Sequence, residues 1–173
     1  MYRNLFSLSL AAGVAFVGAV LAGGPAGAQQ PSLKERLVGT WTVVSQYTIA
    51  PDGKREEVYG AKPIGRLIFD AGGRFSYVLF NPERPKFASR DKNKGTPEEY
   101  AAAVQGGQAY FGTFSVNEAG DRIVYHIEGS LEPSWQGTDR NGASVTLLDD
   151  ELKYNATTPA TGVTAYQVWK RIK

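Results

Sequence analysis

The chain's only histidine, His126, lies two positions before Glu128 within residues 122–131. β-Branched and aromatic residues dominate this segment, which predicts a strand, and alternate side chains of a strand share a face. His126 and Glu128 therefore lie on one face, within reach of a shared ligand or water molecule. An imidazole and a carboxylate in this arrangement are candidates for general acid and general base, or for ligand binding.

The alternation in this strand leaves two arrangements open. In a filled sandwich, the apolar residues Ile123, Tyr125 and Ile127 pack inward and the face with His126 is solvated. In a small barrel with a polar-lined lumen, the face with His126 lines a ligand site instead. A one-residue change of register exchanges the two faces, so the sequence identifies the candidate residues without assigning their orientation.

A second candidate binding segment, Arg84-Pro85-Lys86-Phe87, follows the predicted strand 74–80 at the position of a barrel mouth. Arg84 either lies on a surface loop or turns inward to bind a carboxylate, because a planar guanidinium suits bidentate capture. Tyr110 and Phe111 point to opposite faces of one strand, so one ring belongs to the core and the other is free to line a lumen. The candidate ligand-binding residues are Arg84, Phe87, Tyr110, His126, Glu128 and Trp135.

Several classes of function lack the residues that they require. The chain has no cysteine, which excludes zinc thiolates, cysteine nucleophiles and a lipid-anchored lipoprotein. No nucleophile elbow, phosphate-binding glycine loop or Asp-x-Asp pattern is present, and no metal site or cofactor is predicted. The formal net charge is +2, with basic and acidic residues interspersed, so no nucleic-acid partner is indicated.

The N-terminal residues predict an export signal. Arg3 precedes an apolar stretch rich in Gly and Ala, and Ala26-Gly27-Ala28 provides the small-x-small pattern of a cleavage site. We therefore expect a signal peptide over residues 1–28, a leader over 29–36 and one domain over 37–173. Because no later stretch could span a bilayer, the expected location is periplasmic or secreted, without membrane insertion.

The turn and cap signals of the chain predict an all-β fold with two helices. Asp70-Ala71-Gly72-Gly73 separates two apolar runs as a hairpin turn, and Thr96-Pro97-Glu98-Glu99 begins a helix that ends at Gly106-Gly107. Residues 32–38 predict one or two further helical turns. The predicted strands are 39–47, 64–69, 74–80, 109–116, 122–131, 135–148 with an interruption at Asn141-Gly142, 152–157 and 163–172. About eight strands with one helix inserted after the third favour an antiparallel barrel or sandwich over any α/β fold.

Motifs along the chain resemble the bacterial and fungal lipocalin-like domain family of the calycin superfamily, from about residue 37 to residue 171. The resemblance begins with Gly39-Thr40-Trp41 and ends with Val168-Trp169-Lys170-Arg171. Between them lie the matching segments 60–67, 84–87, 109–114 and 126–138. The chain departs from the family pattern at residues 139–143, where an Arg followed by aromatic residues is replaced by Asp139-Arg140-Asn141-Gly142-Ala143.

The resemblance implies an up-and-down barrel of about eight strands in which Trp41 closes the base beneath Arg171. We therefore expect an exported barrel that binds a small apolar or amphipathic molecule in its lumen. One alternative is a cofactor-independent isomerase, cyclase or hydrolase with His126 as acid or base. Another is an exported protein without a small ligand. The sequence indicates no oligomeric state.

Overall fold

A computed structural model of the chain describes residues 30–117 and 119–173. The predicted signal peptide, residues 1–28, lies outside these ranges. None of the helices within them has the length and apolar character needed to cross a bilayer.

Strands dominate the described part of the chain. They are β1 (Gly39–Ile49), β2 (Arg55–Glu56), β3 (Ile64–Phe69), β4 (Arg74–Phe80), β5 (Gly107–Val116), β6 (Arg122–Ser130), β7 (Asp139–Leu148), β8 (Glu151–Thr157) and β9 (Thr164–Arg171). The α-helices are α1 (Leu33–Leu37) and α2 (Pro97–Gln105), and Pro133–Trp135 forms a single 3₁₀ turn.

The strands form a closed antiparallel barrel. β1 pairs with β3, each later strand pairs with the next, and β9 pairs back with β1, so that eight strands complete the circle. The two-residue strand β2 adds only a short pairing at the end of β1, where Thr48 lies opposite Glu56. The predicted all-β barrel is confirmed. We call the end where β1 begins and β9 finishes the closed end, and the opposite end the open end.

The hairpin between β3 and β4 shows how local sequence sets the strand boundaries. Asp70 Oδ1 accepts a hydrogen bond from the Arg74 backbone N–H at 2.8 Å. Gly73 has a φ of 83°, a left-handed conformation that glycine adopts without steric cost. The turn therefore holds the register in which Leu67 lies opposite Tyr77, and both side chains point into the barrel and are fully buried.

Both helices begin at capping boxes. Ser32 and Glu35 satisfy each other's backbone N–H groups at the start of α1, as do Thr96 and Glu99 at the start of α2. α1 contributes Leu37 to the core, whereas α2 has no buried residue and lies outside the barrel wall.

The region between β6 and β7 differs from its prediction. Trp135 ends a 3₁₀ turn instead of beginning a strand, because Glu132 caps the turn by accepting from the Ser134 N–H. The predicted interruption at Asn141-Gly142 is a bulge within a continuous β7: Val124 lies opposite Asn141, while Ile123 lies opposite Ala143. One extra residue on β7 therefore reverses the alternation of its faces.

Candidate ligand-binding cavity

The closed end of the barrel is filled by a tryptophan beneath an arginine. Trp41 is fully buried, and its indole N–H donates to the Leu37 carbonyl at 2.9 Å. The Arg171 guanidinium lies 4.1 Å from the centre of the Trp41 ring, and its Nη1 donates to the Val38 carbonyl at 2.7 Å. Asp150 completes the arrangement, with its Oδ1 3.5 Å from Arg171 Nε. This is the Trp–Arg arrangement that the sequence predicts for the base.

The open end contains a cavity of about 650 Å³. Aromatic side chains form much of its wall: Tyr59, Tyr110, Tyr125, Trp135 and Tyr154. Tyr110 meets Trp135 edge-on with ring centres 5.6 Å apart and stacks at 4.5 Å on Tyr77 in the core. The wall is therefore continuous with the packed interior, and its rings offer flat apolar surface to a guest.

Polar side chains occupy the deep part of the cavity lining. Gln46 and Gln167 lie opposite each other on β1 and β9, and Tyr154 lies opposite Gln167 on β8. The Gln167 side-chain oxygen accepts from the Tyr77 hydroxyl and from the Trp169 indole, each at 3.1 Å. Gln167 thus links the polar lining to the core.

Three buried polar atoms of the lining have no hydrogen-bond partner of acceptable geometry among the described residues. They are Gln46 Oε1 and the hydroxyl oxygens of Tyr125 and Tyr154, and each of these residues is only 5% exposed. A buried polar group without a partner costs about 1–3 kcal/mol. Because all three residues line the same cavity, a polar group bound there would relieve this cost.

The tyrosines of the cavity are neutral at physiological pH. Burial raises the pKa of Tyr110, Tyr125 and Tyr154 above the ordinary value, and the positive charge of Arg140 partly opposes this effect at Tyr110. The protonated hydroxyls can donate and accept hydrogen bonds, but they are poor bases.

Arg140 is a cation of the cavity lining without an anionic partner. Its guanidinium lies 3.6 Å from the centre of the Trp135 ring, and it forms no hydrogen bond or ion pair with a described residue. The neighbouring acid, Asp139, instead places Oδ1 2.7 Å from His126 Nδ1.

His126 and Glu128 lie on the outer face of β6 and are exposed. The structure therefore has the first of the two arrangements left open by the sequence, with Ile123, Tyr125 and Ile127 inside. Burying three large side chains stabilises this orientation, whereas His126 and Glu128 remain hydrated. The two candidates for acid–base chemistry share a face, as expected, but that face is outside the cavity.

Arg84 and Phe87 attach α2 to the barrel and do not line the cavity. The Arg84 guanidinium lies 4.3 Å from the Phe80 ring centre, and its Nη1 donates to the Ala103 carbonyl in α2. Phe87 packs on Tyr100 of α2, with ring centres 5.6 Å apart. Among the predicted binding residues, only Tyr110 and Trp135 lie in the cavity wall; Phe111 faces outward.

Sequence reasoning missed the polar part of the lining. It did not identify the side chains of Gln46, Arg140 and Gln167, or the hydroxyl groups of Tyr125 and Tyr154, as cavity groups. A usable signal existed for Gln167, which lies two positions before Trp169. Residues two apart on a strand share a face, so a polar side chain there predicts an inward-facing amide. No comparable signal existed for Arg140, because the β7 bulge decides its orientation.

Comparisons with known proteins give one family match and two distant structural similarities. A family model described as a lipocalin-like domain matches residues 38–172. A crystal structure of a lipocalin-like protein from Bacteroides uniformis is 16% identical with a TM-score of 0.42, covering 79% of this chain and 98% of its own. A mutant of the fluorescent protein UnaG is 14% identical with a TM-score of 0.37, covering 79% of this chain and 96% of its own. No curated protein sequence matches the chain.

The family match extends from the residue before Gly39-Thr40-Trp41 to the residue after Arg171. It thus includes both partners of the closed end and every strand of the barrel. The resemblance predicted from the sequence motifs is confirmed, and the chain belongs to the lipocalin-like domain family.

Proposed function

We propose that this protein is an exported barrel that binds one small, largely apolar molecule in the cavity at its open end. The observation that carries the proposal is a cavity of about 650 Å³ with aromatic walls in a barrel whose other end is filled. Ligand pockets commonly measure about 300–1,000 Å³, and barrels of eight strands can hold one small ligand.

The size of the cavity sets the expected affinity. A guest of about 25–30 non-hydrogen atoms that gains about 0.3 kcal/mol per atom would bind with a free energy of about 8 kcal/mol. This corresponds to a Kd near 1 μM. At a protein concentration well above this Kd, most of the protein keeps such a guest as long as the free guest is not washed away.

The polar lining supports an amphipathic ligand over a pure hydrocarbon. A hydrocarbon would leave Gln46 Oε1 and the hydroxyls of Tyr125 and Tyr154 without partners, so the cost of these unpaired groups would remain. A ligand with an apolar body and one polar end would use both parts of the lining.

Export is proposed from the composition of residues 1–28 and has its own test. Expression of the full chain in a Gram-negative bacterium should yield a mature protein that begins at Gln29, in the periplasm or the medium. Intact-mass measurement of the purified protein would identify the N-terminus. Cytoplasmic protein that retains Met1 would contradict export without affecting the binding proposal.

The enzyme hypothesis receives no support from the described geometry. Its acid–base candidate, His126, is on the outer face of β6 and pairs with Asp139. A ligand in the cavity would be on the other side of the barrel wall. We therefore retain ligand binding as the proposed function.

Native and denaturing mass spectrometry of the mature protein test this function. We expect an additional mass of a few hundred daltons that is lost on denaturation. Ala156→Trp, which adds an indole to the cavity lining, should remove the additional mass. Phe111→Trp adds bulk to an outward-facing position that is 53% exposed, so this matched control should retain it.

For protein purified without a bound guest, the same variants are compared by titration with the neutral dye Nile red. We expect binding to the wild type and to Phe111→Trp, and at least tenfold weaker binding to Ala156→Trp. Two outcomes would overturn the proposal. One is a wild type that shows neither an additional mass nor dye binding, and the other is dye binding of equal strength in all three proteins.

A further inference from the structure

We propose that the ligand of this cavity carries an anionic group, a carboxylate in the simplest case, and that Arg140 binds it. This inference rests on the proposed function and names the chemical class of the guest. It follows from the charge of the cavity, from how the guanidinium is held, and from the groups beside it.

Among the described residues, the cavity lining contains one basic and one acidic side chain, Arg140 and Asp139, and no ion pair joins them. Arg140 has no carboxylate partner in the described part of the chain. Asp139 instead has its Oδ1 2.7 Å from Nδ1 of His126, a residue of the outer face of β6. A cation without an ion-pair partner in a partly dehydrated cavity attracts an anion more strongly than it would in water.

The contact with Trp135 leaves the donors of Arg140 available. The guanidinium lies over the indole ring at 3.6 Å, so it uses its flat face there, while its N–H groups lie in the guanidinium plane. Trp135 is itself held edge-on against Tyr110 at 5.6 Å, and Tyr110 stacks on buried Tyr77 at 4.5 Å. The cation is thus positioned by aromatic packing, with its edge free for bidentate binding of a carboxylate.

Further hydrogen-bond donors lie beside this guanidinium. Tyr125 is directly opposite Arg140 in the pairing of β6 with β7, so the two side chains are neighbours on the inner surface. The hydroxyls of Tyr125 and Tyr154 have no partner of acceptable geometry among the described residues, and both can donate to an anionic oxygen. The third unpartnered atom, Gln46 Oε1, accepts only, and it suits a donor group elsewhere on the guest.

The test compares two fluorescent probes of equal shape and different charge, 1-pyrenebutyrate and 1-pyrenebutyramide. Each is titrated by pyrene emission into the wild type, into Arg140→Gln and into Arg66→Gln. Arg66 is exposed and donates to Thr42 Oγ1 at 2.9 Å, so its replacement removes the same charge from outside the cavity. This control separates a local contact from the overall charge of the protein.

We expect the wild type to bind the carboxylate about 10–100 times more tightly than the amide, as is typical of hydrogen bonds to charged groups. Arg140→Gln should bind both probes about equally, and Arg66→Gln should keep the preference. Circular dichroism would verify folding. If Arg140→Gln does not fold, Arg140→Met is used in its place, because its unbranched side chain can still pack on Trp135. The expected result is the same.

Two kinds of result would overturn the inference, and they differ in whether the proposed ligand binding also fails. Equal binding of the two probes by the wild type, or a preference that survives the loss of Arg140, would refute anion recognition but leave ligand binding intact. If the wild type binds neither probe and also fails the mass and dye tests, both the inference and the proposed function fall.

Discussion

Each end of the barrel has an arginine stacked on a tryptophan, and the surroundings of the two pairs differ. At the closed end, Arg171 lies 4.1 Å from the Trp41 ring and donates to backbone carbonyl groups. At the open end, Arg140 lies 3.6 Å from the Trp135 ring and donates to no described residue. The same two residue types thus close the barrel where backbone acceptors surround them, and leave unused donors where a cavity adjoins them.

The two ends also differ in how well their buried polar side-chain atoms are hydrogen-bonded. The Trp41 indole N–H at the closed end has a partner, whereas two tyrosine hydroxyls and one amide oxygen of the cavity have no partner of acceptable geometry among the described residues. A buried polar atom without a partner destabilises the fold. The buried polar atoms of the open end are therefore less completely hydrogen-bonded than those of the closed end, which agrees with the ligand site proposed there.

The largest expected difference between the ends comes from the two tryptophans. Trp41→Ala should lower the free energy of unfolding by about 3–5 kcal/mol, because a fully buried ring leaves a cavity. Trp135→Ala should cost about 1 kcal/mol, since Trp135 is half-buried beside an existing cavity. Urea denaturation followed by circular dichroism measures both. Equal losses would show that the two ends are packed alike.

The two arginines should differ in the same direction by a smaller amount. Arg171→Met should cost about 2 kcal/mol, because carbonyl groups of the closed end lose their donor. Arg140→Met should change stability by less than about 1 kcal/mol, since no acceptor among the described residues is left unpaired and only the cation–π contact with Trp135 is lost. Thermal unfolding at neutral pH compares the variants. A loss at position 140 that matches the loss at position 171 would mean that Arg140 is structural.

The tyrosines allow the open end to be examined by pH. Burial raises the folded-state pKa of Tyr125 above its usual 10.0, so the neutral hydroxyl stabilises the fold below that pH, and this contribution is lost as the pH rises further. Between pH 9 and 11 the loss for one tyrosine reaches about 1.4 kcal/mol. Tyr125→Phe should lose that much less stability over this range. Urea denaturation at both pH values gives the comparison, and parallel pH profiles would contradict it.

The smallest effect is expected outside the barrel. His126→Ala should cost less than about 1 kcal/mol, because its pair with Asp139 is exposed to solvent. Its affinity for 1-pyrenebutyrate should equal that of the wild type within twofold, and the same holds for Glu128→Ala. Loss of probe binding in either variant would place the outer face of β6 in the binding mechanism.

The elements that the sequence predicts well are those decided by neighbouring residues. The bounds of β3 and β4 follow from alternation on either side of the Asp70–Gly73 turn, and α2 begins at a capping box. The orientation of β6 depends on which face the whole barrel buries. The sequence of β6 alone does not determine which of its faces is buried, so it cannot show whether His126 points into the barrel or out of it.

Arg140 illustrates a different limit. Val145 packs against the core and Leu147 is buried, and counting back from them in steps of two places Arg140 on the outer face. The bulge opposite Ile123 and Val124 adds one residue and brings Arg140 to the cavity side. A bulge of this kind depends on pairing with another strand, so the periodicity of β7 alone cannot show it.

Closure of the barrel by β9 also constrains when the chain can complete its fold. β3 pairs with β1 only over Gly39 to Thr42, whereas β9 pairs with it from Trp41 to Ile49. Until residues 164–171 are in place, the middle of β1, from Val43 to Tyr47, has no strand partner among the described residues. A chain truncated before residue 164 would expose two unpaired strand edges, those of β1 and β8, which other chains could extend into aggregates.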